Sequence, residues 1–494
     1  MLIRHTAYNL LGLGLPLIVA VGTIPVLISE LGADRFGLLT LIWAVVSYFG
    51  LFDLGLGRAL TQQLSTAFAR GEEERIGPLV WTALAIMLCL GIVAGLLMAF
   101  LASWGVGTLQ AVPDRTEAVN AVYAMATSMP FIVLTAGLRG VLEARHAFGT
   151  INLIRLPMGL FTFLGPLLVV LYFSGNLSTI AWVLVSGRVV ACLAHAWFVW
   201  RELPSLQKNF AIHRQLAASL CASGGWLSVS NVVSPFMGYV DRFVIGATVS
   251  AAAVAYYATP NELITKLWII PGALTSVLFP TFAAQAARQG EQAWTLFKQA
   301  VQGLFAVMLP ISVGLVLFAH DLLALWINPD FAAHSAPVLQ LFAVGILINC
   351  LAHVPFTLIQ SAGTARSTAI VHCVELPFFL VALWWFTFKF GVTGAAMAWV
   401  LRMVVDTALM FLISGSLLAR SAKYWLNLRV FLFALFAALS FSGALLQSIP
   451  ARMAWLLGVS AITAAVIFRT FGPQLMHHLR VALRFGKHAN ASKK

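Results

Sequence analysis

Charged residues interrupt stretches that are otherwise apolar at eleven positions: the cations Arg58, Arg155, Arg188, Arg242, Lys266 and Arg402, and the acids Asp53, Asp241, Glu262, Glu375 and Asp406. An ionised side chain within hydrocarbon is expensive, so it persists where it meets a partner, water or a ligand. Guanidinium presents a planar fork to phosphate or carboxylate oxygens, so the cations suit an anionic group. The acids are candidates for binding a coupling ion. Spacing sorts the set. Glu262 and Lys266 lie four apart, as do Arg402 and Asp406, so each pair can neutralise itself on one helix face. Asp241 and Arg242 are neighbours, about 100° apart on a helix, and cannot face one partner. Arg155 and Arg188 have no local acid and should face a cleft, water or Glu375. Against a functional lining stands the plainer reading of structural ion pairs and snorkelling side chains. Asp53 and Arg58 sit in LFDLGLGRAL, where Gly50, Gly55 and Gly57 allow close backbone approach. That stretch is either a helix end at the interface or part of a transport path.

The elements that must position these groups are membrane spans. The 494 residues are 61% hydrophobic and 10% charged, with a mean hydropathy of +0.92. A soluble chain carries roughly 25% charged residues. Crossing ~30 Å of hydrocarbon takes roughly 20 apolar residues, and about fourteen windows meet that length, from 7–29 and 37–60 to 429–448 and 452–470. The 252–284 window is long enough to be broken or tilted. The fold class is therefore an all-α polytopic membrane protein. The net charge of +13 does not signal nucleic acid, because the basic residues lie between spans and form no single patch. Cys89, Cys192, Cys221, Cys350 and Cys373 lie in apolar stretches without metal-ligand spacing and read as buried small hydrophobes. There is no G-x-x-x-x-G-K-[ST] loop and no large outer loop to house an active site, so neither an enzyme nor a cofactor or metal is expected.

The connections set topology. With the N-terminus in the cytoplasm, twenty Lys and Arg fall inside, against Arg35, Arg115, Lys389 and Arg452 outside. That is a strong positive-inside bias, placing both termini in the cytoplasm. The chain also repeats. Met129-Pro130-Phe131, Arg155-Leu156-Pro157 and Ala181-Trp182-Val183-Leu184 return as Val354-Pro355-Phe356, Glu375-Leu376-Pro377 and Ala398-Trp399-Val400-Leu401. Six spans precede the second copy, so the halves are parallel repeats enclosing a cleft. The expected division is a six-helix bundle at 1–210, a second at 211–420, two additional helices at 421–475 and a basic cytoplasmic tail at 476–494. Prolines within spans, such as Pro130, Pro157, Pro355 and Pro377, add kinks.

Tyr8-Asn9-Leu10-Leu11-Gly12, Ile24-Pro25-Val26-Leu27, Arg35-Phe36-Gly37 and Phe52-Asp53-Leu54-Gly55-Leu56-Gly57 resemble the start of the Wzx-type O-antigen and polysaccharide flippases. Those proteins belong to the multidrug/oligosaccharidyl-lipid/polysaccharide exporter superfamily. Trp226 to Asn231, Asp241-Arg242-Phe243-Val244-Ile245-Gly246 and Tyr256-Tyr257 resemble their seventh and eighth spans, and the likeness runs to about Leu418. It implies a flippase that moves an undecaprenyl-pyrophosphate-linked oligosaccharide across a bacterial inner membrane. Alternating access between two bundles is implied, with H+ or Na+ as coupling ion, and a glycan polymerase and chain-length regulator as partners. Asp53, Arg58, Asp241 and Arg242 lie in the matching motifs. Three other readings stay open: a drug/cation antiporter of that superfamily, a lipid II flippase, and a membrane scaffold of a glycan-assembly complex.

Overall fold

Long apolar runs with few charges form helices throughout. The computed structural model describes the backbone of residues 2–49, 55–207, 210–286, 291–363, 365–418 and 428–469. Side chains are described there except at 2–14, 46–49, 205, 207, 221–235, 285–286, 291, 365 and 428–431. No strand occurs among the described residues. The helices are α1 (Leu2–Phe49), α2 (Leu56–Arg70), α3 (Glu73–Thr108), α4 (Arg115–Ala144), α5 (Phe148–Tyr172) and α6 (Leu177–Glu202). They continue as α7 (Arg214–Thr248), α8 (Ala251–Thr265), α9 (Ile269–Ala286), α10 (Glu291–Leu317) and the short α11 (Ala319–Trp326). The last are α12 (Pro329–Ser361), α13 (Ala365–Leu417), α14 (Leu428–Phe441) and α15 (Ile449–Arg469).

Among the described residues, ten helical stretches are long and apolar enough to cross a membrane. The expected fourteen windows are not matched one for one. α1 holds both 7–29 and 37–60 across Gly32, whose φ of 76° breaks the helical backbone, and part of the second window lies outside the described residues. α13 likewise holds 367–388 and 392–418 across Gly391 at φ 60°. Both reversals use glycine because a Cβ disfavours the left-handed region. The 252–284 run stays helical throughout, tightening to a 3-10 helical turn at Lys266–Trp268 between α8 and α9, with Thr265 and Ile269 on either side in helical backbone.

Helix starts follow from local chemistry. Asp114 Oδ1 accepts the backbone N–H groups of Thr116 and Glu117 at the start of α4, and Asn176 and Asn328 cap α6 and α12 in the same way. The surface is apolar where bilayer is expected: Phe100 is 82% exposed and Phe378 is 72% exposed. Cys89 and Cys373 lie exposed on this surface, which corrects the expectation that both are buried; Cys192 and Cys350 are buried as expected.

Contacts divide the chain into two units. One is Met1–Ala258 with Leu380–Ala395, and the other is Thr259–Phe379 with Ala396–Lys494. The first unit centres on α2, α3, α4 and α6, where Leu60, Leu64, Val80, Met87, Val141 and Leu142 are fully buried. Glycine lets these helices approach closely. A Cβ on Gly91 would lie 2.5 Å from Pro130 Cα, and one on Gly140 would lie 2.7 Å from the Gly57 carbonyl. Thr61 Oγ1 bridges that crossing, lying 2.9 Å from Gly57 O and 3.0 Å from Gly140 O. α7 belongs to this unit because its end is tied down. Gln110 N–H donates to Gly246 O at 2.8 Å, and Ala252 N–H at the start of α8 donates to Asp34 Oδ1 at 3.2 Å. The second unit packs α9, α10 and α11 around α12, with Leu309, Leu339 and Phe342 fully buried. Trp399 from α13 meets Phe342 edge-on at 5.0 Å and occupies the space a side chain at Gly345 would need.

The repeated motifs fall on helices in one order. Pro130, Pro157 and Trp182 lie in α4, α5 and α6; Pro355, Pro377 and Trp399 lie in α12 and the two arms of α13.

Candidate functional site

Two of the charge clusters expected inside the spans are buried. The first, in the first unit, is Asp241 and Arg242 near the end of α7. Asp241 is 1% exposed and Arg242 is 3% exposed. The Tyr257 hydroxyl of α8 donates to Asp241 Oδ2 at 2.5 Å, and the Arg242 backbone N–H donates to Asp241 Oδ1 at 2.8 Å. The Arg242 guanidinium lies 5.3 Å from the centre of the Tyr239 ring, a cation–π arrangement. The neighbours Asp241 and Arg242 thus place a carboxylate against α8 and a guanidinium against an aromatic face. A guanidinium held this way inside a membrane helix keeps its charge and its donor fork.

The second cluster lies in the second unit and is built by α13. The break at Gly391 lets the two arms of α13 bring residues 34 positions apart together, so that His372 Nε2 lies 3.5 Å from Asp406 Oδ1. Glu375, one turn beyond His372, joins them, and the ligand atoms of the three side chains lie within 4.8 Å of one another. Glu375 is 6% exposed and Asp406 is 8% exposed. Arg402 is half-buried, with its guanidinium 5.3 Å from the centre of the buried Phe379 ring. Sequence spacing picked out Glu375, Arg402 and Asp406 but missed His372. A histidine in an apolar stretch carries no obligatory charge, so it left no signal in the charge pattern. The only available hint was its i, i+3 spacing to Glu375.

The remaining candidates are not members of either cluster. Lys266 Nζ lies 3.3 Å from Glu262 Oε2, so the pair expected from the i, i+4 spacing forms, with both side chains partly exposed. Arg58 and Arg155 are exposed, and Arg188 is half-buried on α6. Asp53 lies outside the described residues. Two apolar cavities open within the units. One of about 490 Å³ opens between α1, α3, α4 and α7, and one of about 650 Å³ between α10, α12, α13 and α14. No charged side chain lines either, so both suit hydrocarbon and neither suits an anionic head group.

Ion pairs also form outside the spans. Arg35 pairs with Glu117 at 3.2 Å, and Arg452 with Asp321 at 3.0 Å, all four on the face expected to be outer. Arg75–Glu72, Arg139–Glu143 and Arg145–Glu202 join residues on the opposite face.

Comparison with known proteins places this architecture. Residues 2–285 match the family described as "Polysaccharide biosynthesis protein". A Shigella flexneri protein named "Putative O-antigen transporter" is 28% identical over 414 residues, covering 83% of this chain and 96% of the relative. A Haloferax volcanii protein named "Probable low-salt glycan biosynthesis flippase Agl15" is 23% identical over 232 residues, covering 46% of this chain and 47% of the relative. Among solved structures, an inward-facing multidrug-resistance MATE transporter of the MOP superfamily superposes with a TM-score of 0.71 at 15% identity. That match covers 81% of this chain and 93% of the other. The lipid II flippase MurJ in an inward closed conformation superposes with a TM-score of 0.67 at 13% identity, covering 94% and 99%. These structures share the fold: an all-helical, multi-pass membrane architecture. With more than half its length matched, the chain belongs to the polysaccharide biosynthesis protein family.

Proposed function

We propose that this protein is a flippase that moves a polyprenyl-pyrophosphate-linked oligosaccharide, an O-antigen or exopolysaccharide repeat unit, across the bacterial inner membrane. The observation that carries this is the match to the Shigella flexneri protein named "Putative O-antigen transporter" along 96% of that relative's length. The buried Arg242 adds physical support, because a desolvated guanidinium is suited to a pyrophosphate and poorly suited to a cationic drug. In this reading Arg58, Arg155, Arg188, Arg242, Lys266 and Arg402 supply the cations that the pyrophosphate meets along its path, while the prenyl tail stays in lipid. Binding is electrostatic and no bond is broken. The bundles at 1–210 and 211–420 alternate access, the helices at 421–475 pack outside them, and both termini are cytoplasmic. A gradient of H+ or Na+ drives the cycle through an acid among Asp53, Asp241, Glu262, Glu375 and Asp406. A glycan polymerase and a chain-length regulator are the partners that receive the product.

Genetic complementation tests this. In a bacterium lacking its own O-antigen flippase, wild type restores surface glycan, and Arg242→Ala at matched membrane levels does not. Rescue by both would remove Arg242 from the path. Failure of well-expressed wild type to restore glycan in hosts spanning several repeat-unit chemistries would overturn the flippase reading. Rescue of a strain depleted of its lipid II flippase would select that substrate instead.

A further inference from the structure

Within the α13 cluster, both carboxylate oxygens of Glu375 are buried and accept no hydrogen bond, although the residue is only 6% exposed. Both oxygens belong to a side chain that reaches into a group whose ligand atoms all lie within 4.8 Å. The charged and titratable groups facing Glu375 are Asp406, Arg402 and His372; His353 of α12 stands beside Asp406. Asp406 Oδ1 likewise accepts no hydrogen bond and has the His372 ring 3.5 Å away.

Counting charge shows what is missing. Two carboxylates and one guanidinium leave the cluster at −1 before any proton is added. One added proton brings it to zero. Two carboxylates this close repel each other, and a low-dielectric setting penalises the uncompensated charge, so the cluster has a built-in demand for one proton. The proton belongs to the group as a whole, because coupled sites titrate together.

We infer that His372, Glu375 and Asp406 form a proton-exchange site. A proton from water bonds to a Glu375 carboxylate oxygen, with His372 and Asp406 sharing it, and the cluster goes from −1 to 0. Release returns the proton to water and the cluster to −1. The role of this cycle in coupling rests on the flippase reading; the exchange itself does not.

The test is infrared difference spectroscopy on the full chain in lipid nanodiscs, stepping pH in potassium chloride. Wild type is expected to show a protonated-carboxyl C=O band that vanishes as pH rises, and Glu375→Gln is expected to lose that band. Asp406→Asn should move its midpoint by about one pH unit; should Glu375→Gln not fold, this variant and His372→Gln carry the test. A band unchanged in all three variants would overturn the proposal. So would loss of the band at fixed pH when sodium replaces potassium, which would make the occupant a metal cation. The measurement contains no glycan. Failed complementation with an intact band therefore overturns the flippase reading alone, and rescue without the band overturns the proton site alone.

Discussion

A buried carboxylate survives in a membrane helix by keeping its donors, and Asp241 has two that are well defined, the Tyr257 hydroxyl and the Arg242 backbone N–H. Tyr257 is itself fully buried, so Tyr257→Phe leaves the ring in place and removes one donor. Losing a partner to a buried acceptor costs about 1–3 kcal/mol, more when the acceptor is charged. Tyr257→Phe should therefore lower the denaturation midpoint in detergent. Tyr257→Phe combined with Asp241→Asn should lose less than the two single effects added, since both remove one interaction. An additive result would mean that the hydroxyl and the carboxylate act independently. This pair shows how much of a site the sequence can reveal. Asp241 and Arg242 were legible as charges inside an apolar run, whereas Tyr257, sixteen residues on, stood out only in the family resemblance and not as a partner of Asp241. Glu375 and Asp406 were legible for the same reason as Asp241. The i, i+4 rule offered Arg402 as the local neutraliser of Asp406, yet the ring beside its carboxylate is that of His372, brought there by the break at Gly391. Local spacing cannot report a partner delivered by a chain reversal.

Elements in this molecule are held by small residues at their crossings more than by any polar contact. On α3, Gly91 and Gly95 face α4: a Cβ at Gly95 would lie 2.6 Å from the Ala126 carbonyl oxygen, while Gly105 and Gly107, farther along the same helix, meet nothing within 4 Å. In a bilayer, where lipid tails are as apolar as leucine, such close backbone packing is a main source of helix association. Gly95→Leu should cost about 1–3 kcal/mol through overpacking and cut the fraction of monodisperse protein on size-exclusion chromatography. Gly105→Leu should behave as wild type. Equal losses from both would assign the effect to helix propensity or insertion and not to the α3–α4 contact. Helix existence was legible from hydropathy, because the bilayer imposes a length and an apolar character on every span. The breaks were less so. A loop was expected around Asp34 and Arg35, and the helical backbone breaks at Gly32 beside it; the long 252–284 run only tightens to a 3-10 turn at Lys266–Trp268. At Gly391 the change is one glycine between two apolar arms, which hydropathy registers only weakly.

At the scale of the whole molecule, charge segregation is the property that fixes how the chain sits in a membrane. The ion pairs outside the spans each join residues expected on one face. The basic excess should face the cytoplasm, because Lys and Arg near span ends resist export. Cysteine accessibility can decide this in a background with Cys89, Cys192, Cys221, Cys350 and Cys373 replaced. Arg115→Cys and Lys389→Cys sit at exposed positions, one at the first residue of α4 and one near the Gly391 break. Both should react with a membrane-impermeant thiol reagent on spheroplasts. Arg75→Cys and Arg366→Cys, also exposed, should react only after the membrane is opened. Reaction of the second pair on intact spheroplasts, with protection of the first, would invert the orientation and place the basic face outside. A mixed pattern would mean that the two faces inferred from the Lys and Arg count are not the two faces of the bilayer. The orientation also bears on the flippase reading. With the basic face in the cytoplasm, anionic lipids of that leaflet and the pyrophosphate of a cytoplasmically made substrate are drawn to the same side. Transport toward the other face then moves the substrate against that attraction, so a transport cycle in that direction has to supply work.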